Sequence, residues 1–461
     1  MTALSRRSLL AWLGLMVLAP RPGVAGAAGL DPEAAILAAK LGGEVAYAVI
    51  DLTSGAVLAE RHADLPMAPA STLKSITALF ALDRLGADHR FTTRVIRAGD
   101  TLILVGGGDP VLDTDALDAL AAATVAAQRS TPPLGFAVWG GALPRIGQLD
   151  PAQDAHLPYN PSISGMILNF NRVHLDWRRT GGSYQLSLQA RGRKLSPRSY
   201  TATIAPVDRG LPLFTYDAGK LETWTIASRG LGRAGSRWLP VRRPELYAGD
   251  VFQTLCRARG LPLPNPEVIE ILPEGHDVAR HDSMPLRDIA RDMMEYSTNL
   301  TAEVIGLRAS GAGSIAGSAS AMADWLRGQG IEGGFQLHDH SGLSPQNRIT
   351  ARMMARLLAG PGQQDGLRAL MKQIPLRDAQ GKRKTSDIAI AAKTGTLNFV
   401  SNLAGYAQNG TDPTRAFAIL TADEPRRAAS EGQELPQGVL GWTKRSKTLQ
   451  QALIESWCAS A

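Results

Sequence analysis

The sequence predicts a mixed α/β (α+β) fold: an antiparallel sheet flanked by helices, with a large β-rich insertion in the chain. Strand-like patterns occur near both ends of the 461 residues. Helical periodicity dominates residues 286–374, and a long stretch of short strands rich in glycine, proline and arginine precedes it. Because hairpins from both ends flank the helices, we expect the two ends to share one sheet.

The first unit is a hairpin that leads into a buried helix. Residues 31–41 have helical periodicity, and residues 44–52 and 56–60 have strand patterns joined by a turn with Gly55. Residues 67–85 predict the buried helix, because their apolar side chains recur at helical spacing over a wide face. Pro69 marks its start and Gly86 its end.

Residues 89–284 are expected to form the β-rich insertion, and its division into two nested subdomains stays open. The patterns predict strands at residues 90–97 and 100–105, a helix at 114–128, and a hairpin of residues 172–177 and 184–189. The glycine run at residues 106–110 lacks the Lys-Ser/Thr pair of a phosphate-binding loop, so we interpret it as a tight turn. No nucleophile, acid and base occur together here, so we expect no second active site.

The rest of the chain predicts helices followed by strands. Helical patterns cover residues 286–294, 300–309, 316–328, 350–358 and 366–374. Strand patterns cover residues 387–397, 402–407 and 415–421, and a helix at residues 442–457 closes the chain.

Composition indicates a globular protein without a nucleic-acid partner. The formal charge is +7, and it falls to +4 without Arg6, Arg7 and Arg21 of the N-terminal segment. No basic stripe interleaved with aromatic residues occurs. Cys256 and Cys458 each lie in an apolar helix-like run, so a disulfide bond between them stays an open alternative to two buried thiols.

The first 27 residues predict an export signal. Arg6 and Arg7 precede a short apolar run, and Ala25-Gly26-Ala27 suits a signal peptidase. The apolar run is too short to span a bilayer comfortably. The paired arginines fit the twin-arginine route, and the Sec route is an equal alternative. We therefore expect a periplasmic protein with no other membrane segment.

Ser71 and Lys74 form the first chemical motif. Three residues apart at the start of a helix, the hydroxyl and the amine share one face and can touch. A serine needs an adjacent base to act as a nucleophile. An ammonium group among apolar neighbours loses its proton more easily, which makes Lys74 a candidate base. By itself, Ser-x-x-Lys also fits a plain structural pair.

Two further motifs follow in order, and the set is specific. Ser297-Thr298-Asn299 falls in the break between two predicted helices, and Lys393-Thr394-Gly395 falls in a predicted strand. With Ser71-x-x-Lys74 this set resembles the serine penicillin-recognising enzymes, which are the penicillin-binding proteins and serine β-lactamases.

Longer stretches narrow the resemblance. Residues 106–110, 163–171, 339–344 and 402–406 resemble elements of the low-molecular-mass class C penicillin-binding proteins, the D-alanyl-D-alanine carboxypeptidase/endopeptidases. The resemblance covers nearly all of the chain after the signal. It departs at Pro345, where the family usually has arginine, and it is loose around residues 159–160.

The resemblance implies roles for the catalytic residues. Ser71 would attack the carbonyl between two D-alanines while neutral Lys74 accepts its proton. Ser297 would relay a proton to the leaving amine, and Asn299 would hold Lys74 and the substrate amide. Lys393 would anchor the substrate carboxylate and depress the pKa of Lys74 by like charge.

The resemblance also implies the binding residues. The hydroxyl groups of Thr394 and Thr396 would bind the substrate carboxylate, and Gly395 would let the strand pass close to the ligand. The backbone N–H groups of Ser71 and Thr396 would form an oxyanion hole, an effect of ~3 kcal/mol per donor.

At the level of the whole chain, the resemblance implies a penicillin-binding protein/β-lactamase-like transpeptidase fold. Residues 28–88 and 285–461 would form the DD-peptidase domain, and residues 89–284 the insertion. The substrates would be peptidoglycan stem peptides, with β-lactams as covalent inhibitors and peripheral association with the membrane or sacculus left open. No cofactor or metal is expected, since His338-Asp339-His340 lacks a third ligand at suitable spacing.

Two alternatives stay open at this stage. A serine β-lactamase on the same fold would need a water-activating carboxylate, and none can be assigned from the sequence. A non-catalytic peptidoglycan-binding or scaffold protein would not need the nucleophile and both lysines together.

Overall fold

The computed structural model describes residues 31–128, 132–219 and 221–459. The predicted export signal at residues 1–27 lies outside these residues. The chain divides into two compact units, one of residues 31–89 and 285–459 and the other of residues 90–284. Among the described residues, no helix has both the length and the apolar character needed to cross a membrane.

The first segment contains the predicted hairpin and helix. Its elements are α1 (Pro32–Ala39), β1 (Glu44–Asp51), β2 (Val57–Arg61) and α2 (Lys74–Leu85). The α-helix begins later than predicted, because a 3-10 turn at Ala70–Leu73 precedes it. Ala70 has a φ of 47°, a left-handed conformation that cannot belong to a right-handed α-helix.

The unit of residues 90–284 is β-rich, as predicted. Its strands are β3 (Thr92–Ala98), β4 (Thr101–Val105), β5 (Gly135–Trp139), β6 (Arg172–Thr180), β7 (Ser183–Gln189), β8 (Ala202–Val207), β9 (Phe214–Ala218), β10 (Glu222–Ala227), β11 (Ala234–Pro240), β12 (Glu267–Ile269) and β13 (His276–Asp282). Its helices are α3 (Thr114–Gln128) and α4 (Pro244–Ala258). The strands form a mixed sheet β12-β5-β4-β3-β13 and two three-stranded sheets, β8-β10-β9 and β11-β6-β7. One apolar core joins all three sheets and includes the buried rings of Trp224, Tyr247 and Phe252.

The last segment returns to helices and then strands. Its helices are α5 (Leu286–Tyr296), α6 (Asn299–Ser310), α7 (Ile315–Gly328), α8 (Ala351–Ala359), α9 (Pro361–Gln364), α10 (Glu424–Ala429) and α11 (Val439–Ala459). Its strands are β14 (Phe335–Gln336), β15 (Arg348–Ile349), β16 (Lys372–Gln373), β17 (Ile388–Leu397), β18 (Val400–Asn409) and β19 (Arg415–Ala422).

Strands from both ends of the chain form one antiparallel sheet of six strands, in the order β16-β17-β18-β19-β1-β2. Glu44 to Asp51 of β1 pair without a break with Ala422 to Arg415 of β19. β18 pairs with the other edge of β19. β17 pairs in turn with β18, and Gly395 of β17 lies opposite Asn402 of β18. The predicted fold class, a sheet shared by the chain ends and flanked by helices, is therefore confirmed.

Helices cover both faces of this sheet. Val45, Tyr47 and Val49 alternate along β1 and belong to a core cluster that also contains residues of α11. The ring of Tyr47 lies 5.2 Å from that of Trp457. The side chains between them in β1 are buried as well, and α8 packs against β1 and β19. A strand buried on both faces reads as a continuous apolar run, which is the pattern of β1.

The prediction of a helix at residues 366–374 was wrong. The chain forms a short 3-10 turn, Leu367–Leu370, and then the edge strand β16, whose Lys372 pairs with Ala392 of β17. Met371 already has an extended backbone. Pro375 further disfavours helix for the residue before it.

Both cysteines are buried thiols, not a disulfide. Cys256 lies in the core of the unit of residues 90–284 and Cys458 in the core of the other unit. Burial raises the pKa of the Cys256 thiol to about 12, so it stays protonated and acts as a small core residue.

Candidate active site

Ser71 lies in the 3-10 turn that precedes α2, and Lys74 is the first residue of α2. The tighter turn still places the two side chains together, with Lys74 Nζ 3.0 Å from Ser71 Oγ. Ser71 is half-buried, whereas Lys74 has no solvent-exposed surface. The predicted nucleophile is therefore accessible beside a fully enclosed amine.

Lys74 has two further partners, and both are oxygen acceptors. Its Nζ donates to Asn299 Oδ1 at 2.9 Å and to the backbone carbonyl of Ser341 at 2.7 Å. Burial lowers the pKa of Lys74 from its usual value to about 8, against the opposing charges of Asp339 and Glu303. At this pKa roughly a tenth of the amine is neutral at pH 7, far more than for an ordinary lysine.

The break between α5 and α6 presents Ser297 and Asn299. Ser297 ends α5 with a φ of 58°, in the left-handed region. Asn299 is the first residue of α6. Ser297 Oγ accepts a hydrogen bond from Lys393 Nζ at 2.9 Å. The break thus links the motif of Lys74 to the motif of Lys393.

Lys393 lies on β17 with 1% of its surface exposed. Its amine also donates to the carbonyl of Thr394 at 2.8 Å. Burial, followed by the charges of Lys74 and Lys372, lowers the pKa of Lys393 well below its usual value. Burial is thus the main cause at both lysines, and the like-charge effect expected at Lys74 acts on the pKa of Lys393 instead.

Gly395 is required by the turn that carries Ser71. A methyl group at Gly395 would lie 2.8 Å from the carbonyl oxygen of Pro69 and 3.1 Å from the backbone nitrogen of Thr72. On the next strand, the side chain of Asn402 donates to the carbonyls of Ala68 and Pro69. The close approach seen at Gly395 is thus to the protein's own turn, whereas the sequence analysis expected approach to the ligand. Its neighbours Thr394 and Thr396 are half-buried and exposed, respectively.

Glu303 and Ser341 are site residues that the sequence analysis missed. Glu303 lies on α6 and is 1% exposed. Burial and the nearby charge of Asp339 raise the pKa of its carboxyl group to about 8. It lies four residues after Asn299, one helical turn further on the same face, and this spacing in an apolar run was a usable signal. The role of Ser341 comes from its backbone carbonyl, which no side-chain motif reveals.

The residues of His338-Asp339-His340 are engaged in protein contacts. His340 Nε2 lies 2.6 Å from Ser318 Oγ, and Asp339 accepts the N–H groups of Gly342 and Ser344. Burial lowers the pKa of His340 to about 3, so its ring is neutral. Within the part of the chain that the structure describes, no cluster of three side chains suits a metal ion.

Comparisons with known proteins place this geometry in a family. A carboxypeptidase of Mycobacterium tuberculosis is 28% identical over 438 residues, covering 88% of this chain and 83% of the relative. A D-alanyl-D-alanine carboxypeptidase of an Actinomadura species is 26% identical over 452 residues, covering 85% of this chain and 82% of the relative. Both alignments span nearly the whole of the described chain.

A solved structure shares the fold. The crystal structure of penicillin binding protein 4 (dacB) from Haemophilus influenzae superimposes with a TM-score of 0.71 at 18% identity, covering 92% of this chain and 99% of that one. The D-Ala-D-Ala carboxypeptidase 3 (S13) family matches residues 31–445. The predicted resemblance and the predicted class of serine DD-peptidase are thereby confirmed, and the chain belongs to the D-Ala-D-Ala carboxypeptidase 3 (S13) family.

Proposed function

We propose that Ser71 is the nucleophile of this DD-peptidase and that neutral Lys74 is its base. The observation that carries the proposal is the set of partners around Lys74 Nζ. A neutral amine has two N–H donors and one lone pair, and the two carbonyl-type oxygens of Asn299 and Ser341 can only accept. They take both N–H groups, which leaves the lone pair for the hydroxyl proton of Ser71.

The reaction then proceeds in two steps. Ser71 Oγ bonds to the carbonyl carbon between two D-alanines as its proton passes to Lys74, and the C–N bond breaks. The leaving amine takes up this proton from Lys74, relayed through the hydroxyl group of Ser297. Water then adds to the acyl-enzyme as its proton passes to Lys74, and the ester bond to Ser71 breaks as Lys74 returns that proton to Ser71 Oγ.

The rest of the site binds the substrate and stabilises charge. Lys393 anchors the carboxylate of the terminal D-alanine, assisted by the hydroxyl groups of Thr394 and Thr396. Asn299 contacts the substrate amide while it holds Lys74. The N–H groups of Ser71 and Thr396 stabilise the oxyanion, each by ~3 kcal/mol. The burial of Lys393 supports its role, because a bound carboxylate would favour the charged form of the desolvated amine and interact strongly with it.

The proposed substrates are peptidoglycan stem peptides, with β-lactams as covalent inhibitors. A second structure of the Haemophilus influenzae protein is complexed with a β-lactam, which supports this proposal. The N-terminal pattern of residues 1–27 supports export to the periplasm. Residues 28–88 and 285–461 are proposed as the catalytic domain and residues 89–284 as an insertion that shapes substrate access.

Peptide mapping tests the site directly. After incubation with benzylpenicillin, we expect one adduct, on the peptide that contains Ser71. The Ser71→Ala variant should remain unlabelled under the same conditions. An adduct on Ser75 or Ser297, or no adduct on the folded wild-type protein, would contradict the proposal.

Two product assays define the activity further. Crosslinked muropeptides analysed by mass spectrometry should lose the terminal D-alanine, the crosslink, or both. With nitrocefin, a DD-peptidase gives slow covalent trapping, and steady-state turnover would instead indicate a β-lactamase.

A further inference from the structure

Glu303 lies beside the site and takes no part in the proton transfers proposed above. Its carboxyl oxygens accept the backbone N–H of His340 at 3.2 and 3.1 Å and that of Ser341 at 2.9 Å. A buried carboxyl group is costly unless hydrogen bonds compensate it. Its two backbone partners belong to the turn that carries the second acceptor of Lys74.

Ser341 connects Glu303 to Lys74. The Ser341 N–H donates to Glu303, and the Ser341 carbonyl accepts from Lys74 Nζ at 2.7 Å. The other acceptor of Lys74 is Asn299, which lies on the same helix as Glu303. Helix α6 therefore contacts Lys74 twice, directly through Asn299 and through the turn that Glu303 holds.

The turn is fixed from its other side as well. Asp339 accepts the N–H of Gly342 at 2.8 Å and a side-chain N–H of Asn347 at 2.7 Å. Gly342 has a φ of 78°, and a Cβ atom there would lie 1.8 Å from the carbonyl oxygen of Ala70, the residue before Ser71. The turn is thus packed against the backbone of the nucleophile on one side and bonded to Glu303 on the other.

We propose that Glu303 is a positioning residue for the proton transfer between Ser71 and Lys74. It holds the carbonyl of Ser341 where that oxygen takes one N–H of the neutral amine, so that the lone pair faces the Ser71 hydroxyl. Without this acceptor in place, an N–H group can turn toward Ser71 and the amine cannot accept its proton. The inference rests on the proposed function, in which Lys74 is the base.

The test separates positioning from binding and from folding. The acylation rate constant k2 and the dissociation constant K for benzylpenicillin are measured for each variant. Both are normalised to the concentration of active sites, which is determined by titration. Glu303→Met keeps the side-chain volume but removes both acceptors, and k2 should fall at least thirtyfold while K changes less than threefold. Glu303→Gln keeps one oxygen, which can accept both N–H groups, and should retain k2 within about fivefold.

A matched control exists in the other unit. Glu222 is also 1% exposed and also accepts two backbone N–H groups, those of Arg242 and Arg243. Glu222→Met should therefore cost similar stability but leave k2 within twofold of wild type. Should Glu303→Met fail to fold, Glu303→Asp replaces it, since a carboxylate one methylene shorter cannot reach the same N–H groups; k2 should fall at least tenfold.

The inference is overturned if the folded Glu303→Met or Glu303→Asp variant keeps k2 within twofold of wild type, or if K rises while k2 does not change. Failure of the proposed function looks different: the wild-type protein itself would then carry no benzylpenicillin on Ser71.

Discussion

Lys74 shows how a single buried amine can be tuned by its surroundings. It is enclosed completely, and the charges that act on its pKa are those of the carboxyl groups of Asp339 and Glu303. Desolvation lowers its pKa and the two acidic groups oppose this effect. The outcome is an amine that can both lose and regain a proton near neutral pH, as a general base must.

A pH dependence follows from this pKa. Only the neutral amine can accept the Ser71 proton, and the pKa of Lys74 is about 8. We therefore expect the second-order rate constant for acylation by benzylpenicillin to rise as pH increases from about 7 to 9 and then to level off. Stopped-flow measurements across this range test it, with Ser71→Ala protein as the control for spontaneous hydrolysis of the antibiotic. A rate constant that is flat from acidic to alkaline pH would exclude Lys74 as the base.

Gly395→Ala tests the contact between strand and turn. The added methyl group would press on the carbonyl of Pro69 and on Ala70, so the turn that carries Ser71 must shift. We expect k2/K for benzylpenicillin to fall by more than about thirtyfold, or ~2 kcal/mol in transition-state free energy. Gly328→Ala, at the end of α7 where a Cβ atom meets open space, is the matched control and should be close to wild type.

At the scale of elements, a lysine on β17 and a lysine in the loop before it are expected to contribute differently to substrate binding. Lys393 on β17 is desolvated, whereas Lys382 lies in an exposed loop where its charge is screened. Lys393→Ala should lower k2/K for a D-alanyl-D-alanine peptide by about a hundredfold, and Lys382→Ala should leave it within twofold. Equal, small effects would mean that Lys393 does not hold the substrate carboxylate.

Elements with strong periodicity could be predicted from the sequence, and those set by tertiary contacts could not. Helix α3 has the predicted bounds, and β1, β17 and β19 agree within one residue. For α4 the sequence indicated only a helix-like run around Cys256 and no bounds, since Gly249 weakens the pattern. That glycine is needed where the helix packs closely on Val138 and Pro266.

In the candidate site, likewise, some residues could be predicted from the sequence and others could not. Ser71, Lys74, Ser297, Asn299 and Lys393 carry side-chain motifs, so their meeting could be expected from order and context. The Ser341 carbonyl and the turn around Gly342 depend on backbone geometry, which leaves no such motif. The 3-10 turn at Ser71 was missed for the same reason, since it depends on the left-handed backbone of Ala70.

At the scale of the whole molecule, the β-rich unit should affect substrate choice more than chemistry. Tyr159→Ala is expected to change the preference among muropeptides while acylation by benzylpenicillin stays within about threefold, under ~1 kcal/mol. Muropeptide competition assays and stopped-flow acylation measure the two effects separately. A hundredfold loss of acylation in the folded variant would mean that this unit supplies a catalytic group.

Asp176 and Trp177, in the same unit, also contribute to the stability of the fold. Asp176 lies 2.9 Å from His174, and the ring of Trp177 covers Gly235, where a Cβ atom would lie 2.4 Å from the ring. Trp177→Ala should therefore lower the free energy of unfolding by ~2 kcal/mol. Asp176→Ala removes the partner of the buried His174 Nδ1 and should cost about 1 kcal/mol. Denaturant titration of each variant checks both values.

The pairing of β1 with β19 has a consequence for biosynthesis. β1 is translated before its partner β19, which follows it by more than 360 residues in the chain. Until then β1 is a long apolar strand with an unpaired edge, the kind of segment that aggregates or recruits a chaperone. The nucleophile-bearing turn rests on β17 and β18, so the site too must await the synthesis of these strands. Such a chain stays inactive while nascent, and high contact order makes its final folding step slow.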